Sequence, residues 1–366
     1  MVAPAQAALP GVHLRDPTMD ALRGLSLLGV IAIHVASRIP TADPWYPVGR
    51  FVDHLGRFGV PLFLGVLGWG VGRAAGERPI GPTWIRDRLR AVGPAYLAWA
   101  CLYAAVASWD GGGISLWDGR LSWTARLSLT VFGYGAEHLY YTTAYFGLVL
   151  LAPLAGTGLA TAGRRTALAV AVAGLSANAA LLAHLEAAVQ SAAAPTGLAA
   201  LLLHTEARTP LHWFGFFVAG AAMGRWLAAG GRWPAPRLWW LPVGLAAHAW
   251  VALRPPSRQF DDFWCSPALV AGSLAALLWG PALVRHGLPK AAVGWLGRFG
   301  ADSLPTYLGH VLWLRVGWWA AQGWPTGGRI AVALAAVVAG NWAYGRIHPR
   351  IFGAARPTSA ARLTTP

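Results

Sequence analysis

The sequence predicts an all-α protein, a polytopic bundle of about ten (possibly eleven) transmembrane helices with both termini cytoplasmic. Three observations predict it. Of the 366 residues, 56% are hydrophobic and only 12% charged, whereas a soluble domain carries about 25% charged residues. Mean hydropathy is +0.46, and apolar stretches long enough to span a bilayer, about 20 residues each, recur from end to end. The basic residues gather at the ends of those stretches, as topogenic charge does.

The spans fall near 19–38, 55–75, 91–109, 138–156, 166–186, 210–229, 238–253, 267–285, 302–320 and 329–346. The seventh is short and carries Pro242, and a stretch at 195–206 is a candidate half-span or interfacial helix. With the N-terminus inside, 18 of the 29 basic residues lie on the inner side and 9 on the outer. That bias sets the orientation. The outer connections 39–54, 110–137, 187–209 and 254–266 hold much of the acid among Trp and Tyr. Such a composition suits a surface for a hydroxylated, sugar-like ligand. Residues 1–17 form a cytoplasmic tail, 18–347 the membrane domain and 348–366 a second cytoplasmic tail. No cleavable signal peptide is read, because residues 1–17 lack an apolar core and the first apolar stretch carries Arg23.

A net charge of +15 invites a nucleic-acid reading, which the placement of the charges at span ends excludes. Cys101 and Cys265, the two cysteines, are too few for a disulfide framework. No spacing of His, Asp or Glu suggests a metal, and no glycine-rich stretch reads as a phosphate loop; the glycines read as helix-packing residues.

The first span carries two costly residues, Arg23 and His34. Eleven positions at about 100° each make three turns plus about 20°, so both side chains leave one helix face, roughly 16 Å apart along the axis. An ionisable group inside a span is by default a functional hypothesis. Arg23 also has a bland reading, snorkelling to the interface and pairing with Asp20, and His34 one as a satisfied core histidine. Arg86, Arg88 and Arg90 stand at the entry of the third span, His138 at the outer entry of the fourth, and His310 in the middle of the ninth. His248 and Arg315 fall in no motif and read as structural.

Asp20-x-x-Arg23-Gly24 with His34 eleven residues after the Arg resembles the opening motif of the acyltransferase type 3 family. Further segments are similar in order: Leu62 to Trp69, with Leu67 where the family carries Ser; Arg86 to Arg90 followed by Pro94-Ala95-Tyr96; His138-Leu139-Tyr140-Tyr141 before Ala152-Pro153; Trp213 to Phe217 with Gly220; and Leu296-Gly297-Arg298 leading to Ser303 and Tyr307-Leu308-Gly309-His310. The resemblance covers roughly 18–320. Many members carry acidic residues just after the fourth-span entry, where this chain has Thr142-Thr143-Ala144-Tyr145, closer to the branch of surface polysaccharide O-acetyltransferases.

The resemblance implies transfer of an acyl group, most plausibly acetyl, from cytoplasmic acetyl-CoA to a hydroxyl of an envelope glycan or lipid-linked saccharide. The protein would sit as a multi-pass protein of the cell (inner) membrane. An imidazole titrates near neutrality and suits a base or nucleophile, which makes His34 the catalytic candidate. Arg23, always charged and fork-shaped, joins it and is placed to hold the donor. Arg86, Arg88 and Arg90 are candidates for clamping the CoA phosphates. His138 and His310 are the substrate-binding candidates. The rival class is a transporter or exporter of an acylated or anionic saccharide, which the lack of a repeat in two halves and of paired broken helices disfavours.

Overall fold

The computed structural model describes residues 16–110, 117, 119–191, 196–205, 208–231, 242, 246 and 268–352. Every regular element among them is helical: α1 Pro17–Ala36, α2 Tyr46–Gly56, α3 Gly59–Ala75, α4 Pro82–Asp110, α5 Trp123–Val131, a 3₁₀ turn Glu137–Leu139, α6 Tyr140–Leu159, α7 Arg164–Gln190, α8 Gly197–His204, α9 Pro210–Ala228, α10 Ala268–Ala282 with a π-helical turn Leu283–Gly287, α11 Lys290–Ala301, α12 Ser303–Ala320 and α13 Thr326–Phe352.

Seven segments are long and apolar enough to cross a membrane: Pro17–Ala36, Tyr46–Ala75, Pro82–Ala107, Glu137–Leu159, Arg164–Ala188, Leu269–Gly287 and Thr326–Phe352. Two expected spans, 210–229 and 302–320, coincide with α9 and α12, which are not among the seven; His212 and Arg225, and His310 and Arg315, lower their apolarity. The expected span 238–253 lies almost wholly outside the described residues. The stretch at 195–206 forms α8, whose eight residues rise only about 12 Å and cannot cross.

Local chemistry starts α1 sharply. Asp16 caps it by accepting from the Thr18 amide (2.9 Å), and Pro17 occupies the first turn, where its missing N–H costs nothing. α1 is central to the bundle: 72% of its apolar window is buried, against 17% for α13. Large apolar side chains such as Leu154, Leu168, Val338 and Trp319 are exposed, as lipid-facing positions are in a spanning helix.

Two close helix contacts fix the frame. α3 and α9 meet through Gly68-x-x-x-Gly72 and Gly220-x-x-x-Gly224, the small-residue spacing that lets two backbones touch. A Cβ on Gly72 would lie 1.7 Å from the Ala221 carbonyl oxygen, and one on Gly220 1.9 Å from that of Gly65. α1 and α11 meet the same way. A Cβ on Gly24 would lie 2.3 Å from the Leu296 carbonyl oxygen, and one on Gly300 1.8 Å from that of Asp20. The second contact clamps the half of α1 that carries Arg23.

α2, Tyr46–Gly56, is a helix of its own that begins in the expected connection 39–54 and ends two residues into the expected span 55–75. Its Trp45 neighbour, Val48 and Phe51 are exposed, while Arg57, just past its end, is buried and holds Asp53 at 2.5 Å. Asp43 accepts from the Trp45 amide (2.8 Å) and from the Thr326 hydroxyl, tying the loop after α1 to the start of α13.

Candidate functional site

The C-terminal half of α1 presents His34 to two other imidazoles, His138 from the 3₁₀ turn before α6 and His310 from α12. Ring centroids lie 5.9 Å apart for His34–His138, and 5.1 Å for both His34–His310 and His138–His310. Three elements more than a hundred residues apart thus bring together the three histidines singled out from sequence. His138 and His310 are fully enclosed, and the His34 side chain is 13% exposed. The rings do not converge as metal ligands; among the described residues no group of His, Cys, Asp or Glu does.

Beside them stands Glu137, which the sequence reading had placed only among the acids of an outer connection. Its Oε1 lies 3.3 Å from His34 Nδ1, and its side chain is 56% exposed, so the cluster meets the surface at Glu137. A carboxylate oxygen only accepts, so the His34 Nδ1–H faces it, and in the neutral ring Nε2 is the acceptor. Positions 142–145 carry Thr, Thr, Ala and Tyr and so no carboxylate. The charge comes from five residues earlier, and its adjacency to His138 was the signal available.

The turn that carries Glu137 is held from several sides. Tyr96 donates through its hydroxyl to the Val131 carbonyl (2.7 Å). Arg208 donates from Nε to the Phe132 carbonyl (3.2 Å) and lies 3.7 Å from the Tyr134 ring centre. Gly133 turns the chain with φ +76°, a conformation that costs other residues but not glycine. The Tyr307 hydroxyl donates to the His138 carbonyl, which pins the turn to α12. Tyr103 packs edge-on to His138 (4.9 Å), donates to the Leu308 carbonyl (2.9 Å) and accepts from the Leu312 amide (3.0 Å). In a site shielded from water these bonds set ring positions with little freedom to reorganise.

Arg23 sits about three turns away at the other end of α1. It pairs with Asp20 at 2.6 Å and remains 34% exposed, so the pairing foreseen from sequence is made. A line of aromatic rings joins the two ends: His138 to Tyr307 (5.6 Å), Tyr307 to Tyr141 (4.9 Å) and Tyr141 to Tyr145 (6.4 Å). The guanidinium of Arg23 acts electrostatically on both Tyr141 and Tyr145, and that of Arg88 on Tyr145.

The three arginines of the third span do not share a face. α4 is helical from Pro82 onward, and two residues turn the helix by about 200°, so Arg88 points away from Arg86 and Arg90. All three are exposed; Arg88 stacks 5.2 Å from the Trp84 ring centre and acts electrostatically on Tyr145, whereas Arg86 lies beside Asp87 (3.5 Å). Arg73, at the end of α3, lies 3.6 Å from Asp16, so this end of the bundle gathers cations from α1, α3 and α4. Arg315, read from sequence as structural, lies close enough to act on Glu137, His138 and Tyr103. His248 lies outside the described residues.

The arrangement has two distinct ends. One is a buried histidine cluster with a carboxylate at its opening. The other is a set of arginines spread over the opposite end of the same helices, with a path of tyrosines between. A family model described as an acyltransferase domain matches residues 16–346. No curated protein and no solved structure matches the chain.

Proposed function

The chain belongs to the acyltransferase type 3 family and is a multi-pass membrane acyltransferase; from that premise we propose that it moves an acetyl group from cytoplasmic acetyl-CoA to a hydroxyl of an envelope glycan or lipid-linked saccharide. The observation that carries the reading is the His34–Glu137 pair inside the histidine cluster, joined by the tyrosine path to arginines about three helical turns away.

In this reading the donor enters at the arginine end. Arg88 and Arg23 hold its polar arm along the Tyr145–Tyr141 path, and Arg86 and Arg90 meet its phosphates at the surface. Both chain termini lie on that cytoplasmic side. The thioester carbonyl comes to rest beside His34, and the acceptor arrives from the opening at Glu137. The acceptor hydroxyl attacks the carbonyl carbon while His34 Nε2 takes its proton. A C–O bond forms, the C–S bond breaks, and the proton passes from His34 to the departing thiolate. Glu137 keeps the Nδ1–H oriented and stabilises the imidazolium formed in between. His138 and His310 line the place of the acceptor. The protein acts in the cell membrane with the bilayer as its solvent.

The function is tested with the purified protein in liposomes, given radiolabelled acetyl-CoA and a saccharide acceptor. Labelled saccharide is expected. Movement of saccharide across the bilayer with no acyl transfer would identify a transporter instead.

Two substitutions probe the roles separately. Glu137→Gln lowers kcat by about 10- to 100-fold and leaves the KM for acetyl-CoA unchanged. The effect is smaller than the ~10⁴-fold known for a buried carboxylate behind a catalytic imidazole, because Glu137 is half exposed. Glu137→Asp recovers part of the loss. A change in KM alone removes Glu137 from the reaction. Arg88→Ala, by contrast, raises the KM for acetyl-CoA roughly tenfold, the value of one charge-assisted hydrogen bond, with kcat nearly unchanged. An unaltered KM returns Arg88 to topogenic charge.

A further inference from the structure

The proposed chemistry assigns proton transfer to His34 and gives His310 only a place beside the acceptor, yet His310 is the more constrained ring. Its Nδ1 lies 2.6 Å from the Tyr307 carbonyl oxygen, one turn back on α12. A carbonyl only accepts, so Nδ1 carries the hydrogen, and in the neutral ring Nε2 holds a lone pair. The residue is 0% exposed. Nε2 is buried and has no hydrogen-bond partner among the described residues. Because Nδ1 is tied to the backbone of its own helix, the opposite edge of the ring is directed away from α12. It faces the space shared with His34 and His138, each 5.1 Å distant.

A buried acceptor left unsatisfied costs about 1–3 kcal/mol, and in native structures such an atom calls for an explanation. His34 presents the same chemistry, since its Nδ1 faces Glu137 and its Nε2 lone pair is left for a ligand. The neutral His138 ring adds one more acceptor and one N–H, neither with a partner among the described residues, so the cluster sets three acceptors against one donor and asks its ligand for two donors. The acyl thioester has no donor at its reacting end. Both must come from the molecule that receives the acyl group.

We infer that the acceptor docks through two hydroxyls on neighbouring ring carbons, one donating to His34 Nε2 and becoming acylated, the other donating to His310 Nε2. Imidazoles with centroids 5.1 Å apart are close enough for hydroxyls on adjacent carbons to reach both. The substrate class is a saccharide with a free vicinal diol, and His310 is the residue that selects it. The inference rests on the hydroxyl-acceptor reading above. A trapped water is the competing way to satisfy Nε2.

The test compares methyl β-D-galactopyranoside with its 2-, 3- and 4-deoxy analogues as acceptors for the full-length protein in liposomes with acetyl-CoA. Products are located by NMR. In the wild type, removing the hydroxyl next to the acylated one is expected to lower kcat/KM about tenfold or more, the worth of one buried hydrogen bond. His310→Phe keeps the ring shape and lacks the acceptor, so it lowers kcat/KM for the diol and erases the difference between diol and deoxy sugar. His310→Gln, whose amide oxygen can accept in place of Nε2, restores part of the difference. A wild type indifferent to the neighbouring hydroxyl overturns the inference, and so does a deoxy penalty that survives in His310→Phe; either outcome fits a water or simple packing. A wild type that releases thiol from acetyl-CoA yet acylates none of the four sugars overturns the hydroxyl-acceptor reading itself, and the inference with it.

Discussion

Replacing His34 with alanine lowers acetyl transfer by at least about 10²-fold and up to about 10⁴-fold, the range of a positioned general base, while the protein still folds. The second half of that expectation is as specific as the first. His34 lies at the edge of the cluster with its side chain 13% exposed, so truncation leaves a gap continuous with the opening at Glu137 rather than a sealed void. Its ring is not the pin that holds the turn; the Tyr307 hydroxyl on the His138 carbonyl and the Tyr103 contacts with α12 do that. kcat falls, and the KM for acetyl-CoA stays close to that of the wild type, because the donor is held by Arg23 and Arg88 at the other end of α1. The measurement is initial-rate transfer from labelled acetyl-CoA, with monodispersity in detergent as the check on folding. A loss confined to KM places His34 in donor binding instead.

Gly72→Leu or Gly220→Leu abolishes the folded protein. A Cβ at these positions would meet a backbone carbonyl oxygen at 1.7 Å and 1.9 Å. Neither the helix axis nor the carbonyl can yield as the tip of a flexible side chain does. Ordinary overpacking costs about 1–3 kcal/mol; here two helices must separate along their whole contact, which exceeds the stability of a typical domain margin. Gly70→Leu is the matched control. It lies on the same helix between the two contact glycines, and a Cβ there meets nothing within 4 Å, so its variant folds and works. Thermal unfolding followed by size-exclusion chromatography distinguishes the two cases. A stable Gly72→Leu protein would mean that α3 and α9 do not meet as described.

The physics that made some features readable from sequence also explains what was not. Hydropathy located α1, α3, α6, α7, α10 and α13 because a bilayer demands a run of about 20 apolar residues. It missed α2, α5 and α11 as separate helices, because their 11, 9 and 12 residues are too short to form such a run on their own. α4 begins nine residues earlier than its apolar run, since a helix continues through Arg86, Arg88 and Arg90 when their long side chains reach polar surroundings. That extension is what separates Arg88 from its two neighbours, and only a helical reading of 82–90 reveals it.

The same limit applies to the site. His34 and Arg23 stand on one helix, so periodicity alone shows that they share a face. The convergence of His138 and His310 on His34 depends on the packing of α1, α4, α6 and α12, which no local pattern encodes; those residues were reachable only through the motif they resemble. Glu137 carried no motif, and its contact with His34 spans 103 positions. Tyr103 falls in no motif and Tyr307 only in the one that carries His310, yet their hydroxyls hold the backbone of the cluster.

The central claim is that donor and acceptor meet at His34 from opposite faces of the membrane. Sealed vesicles with the Arg88 face outward test it, with labelled acetyl-CoA added outside and saccharide enclosed. The account predicts labelled acetyl-saccharide inside the vesicles, none with His34→Ala, and free CoA outside. Label that appears only when both substrates share one face would contradict it.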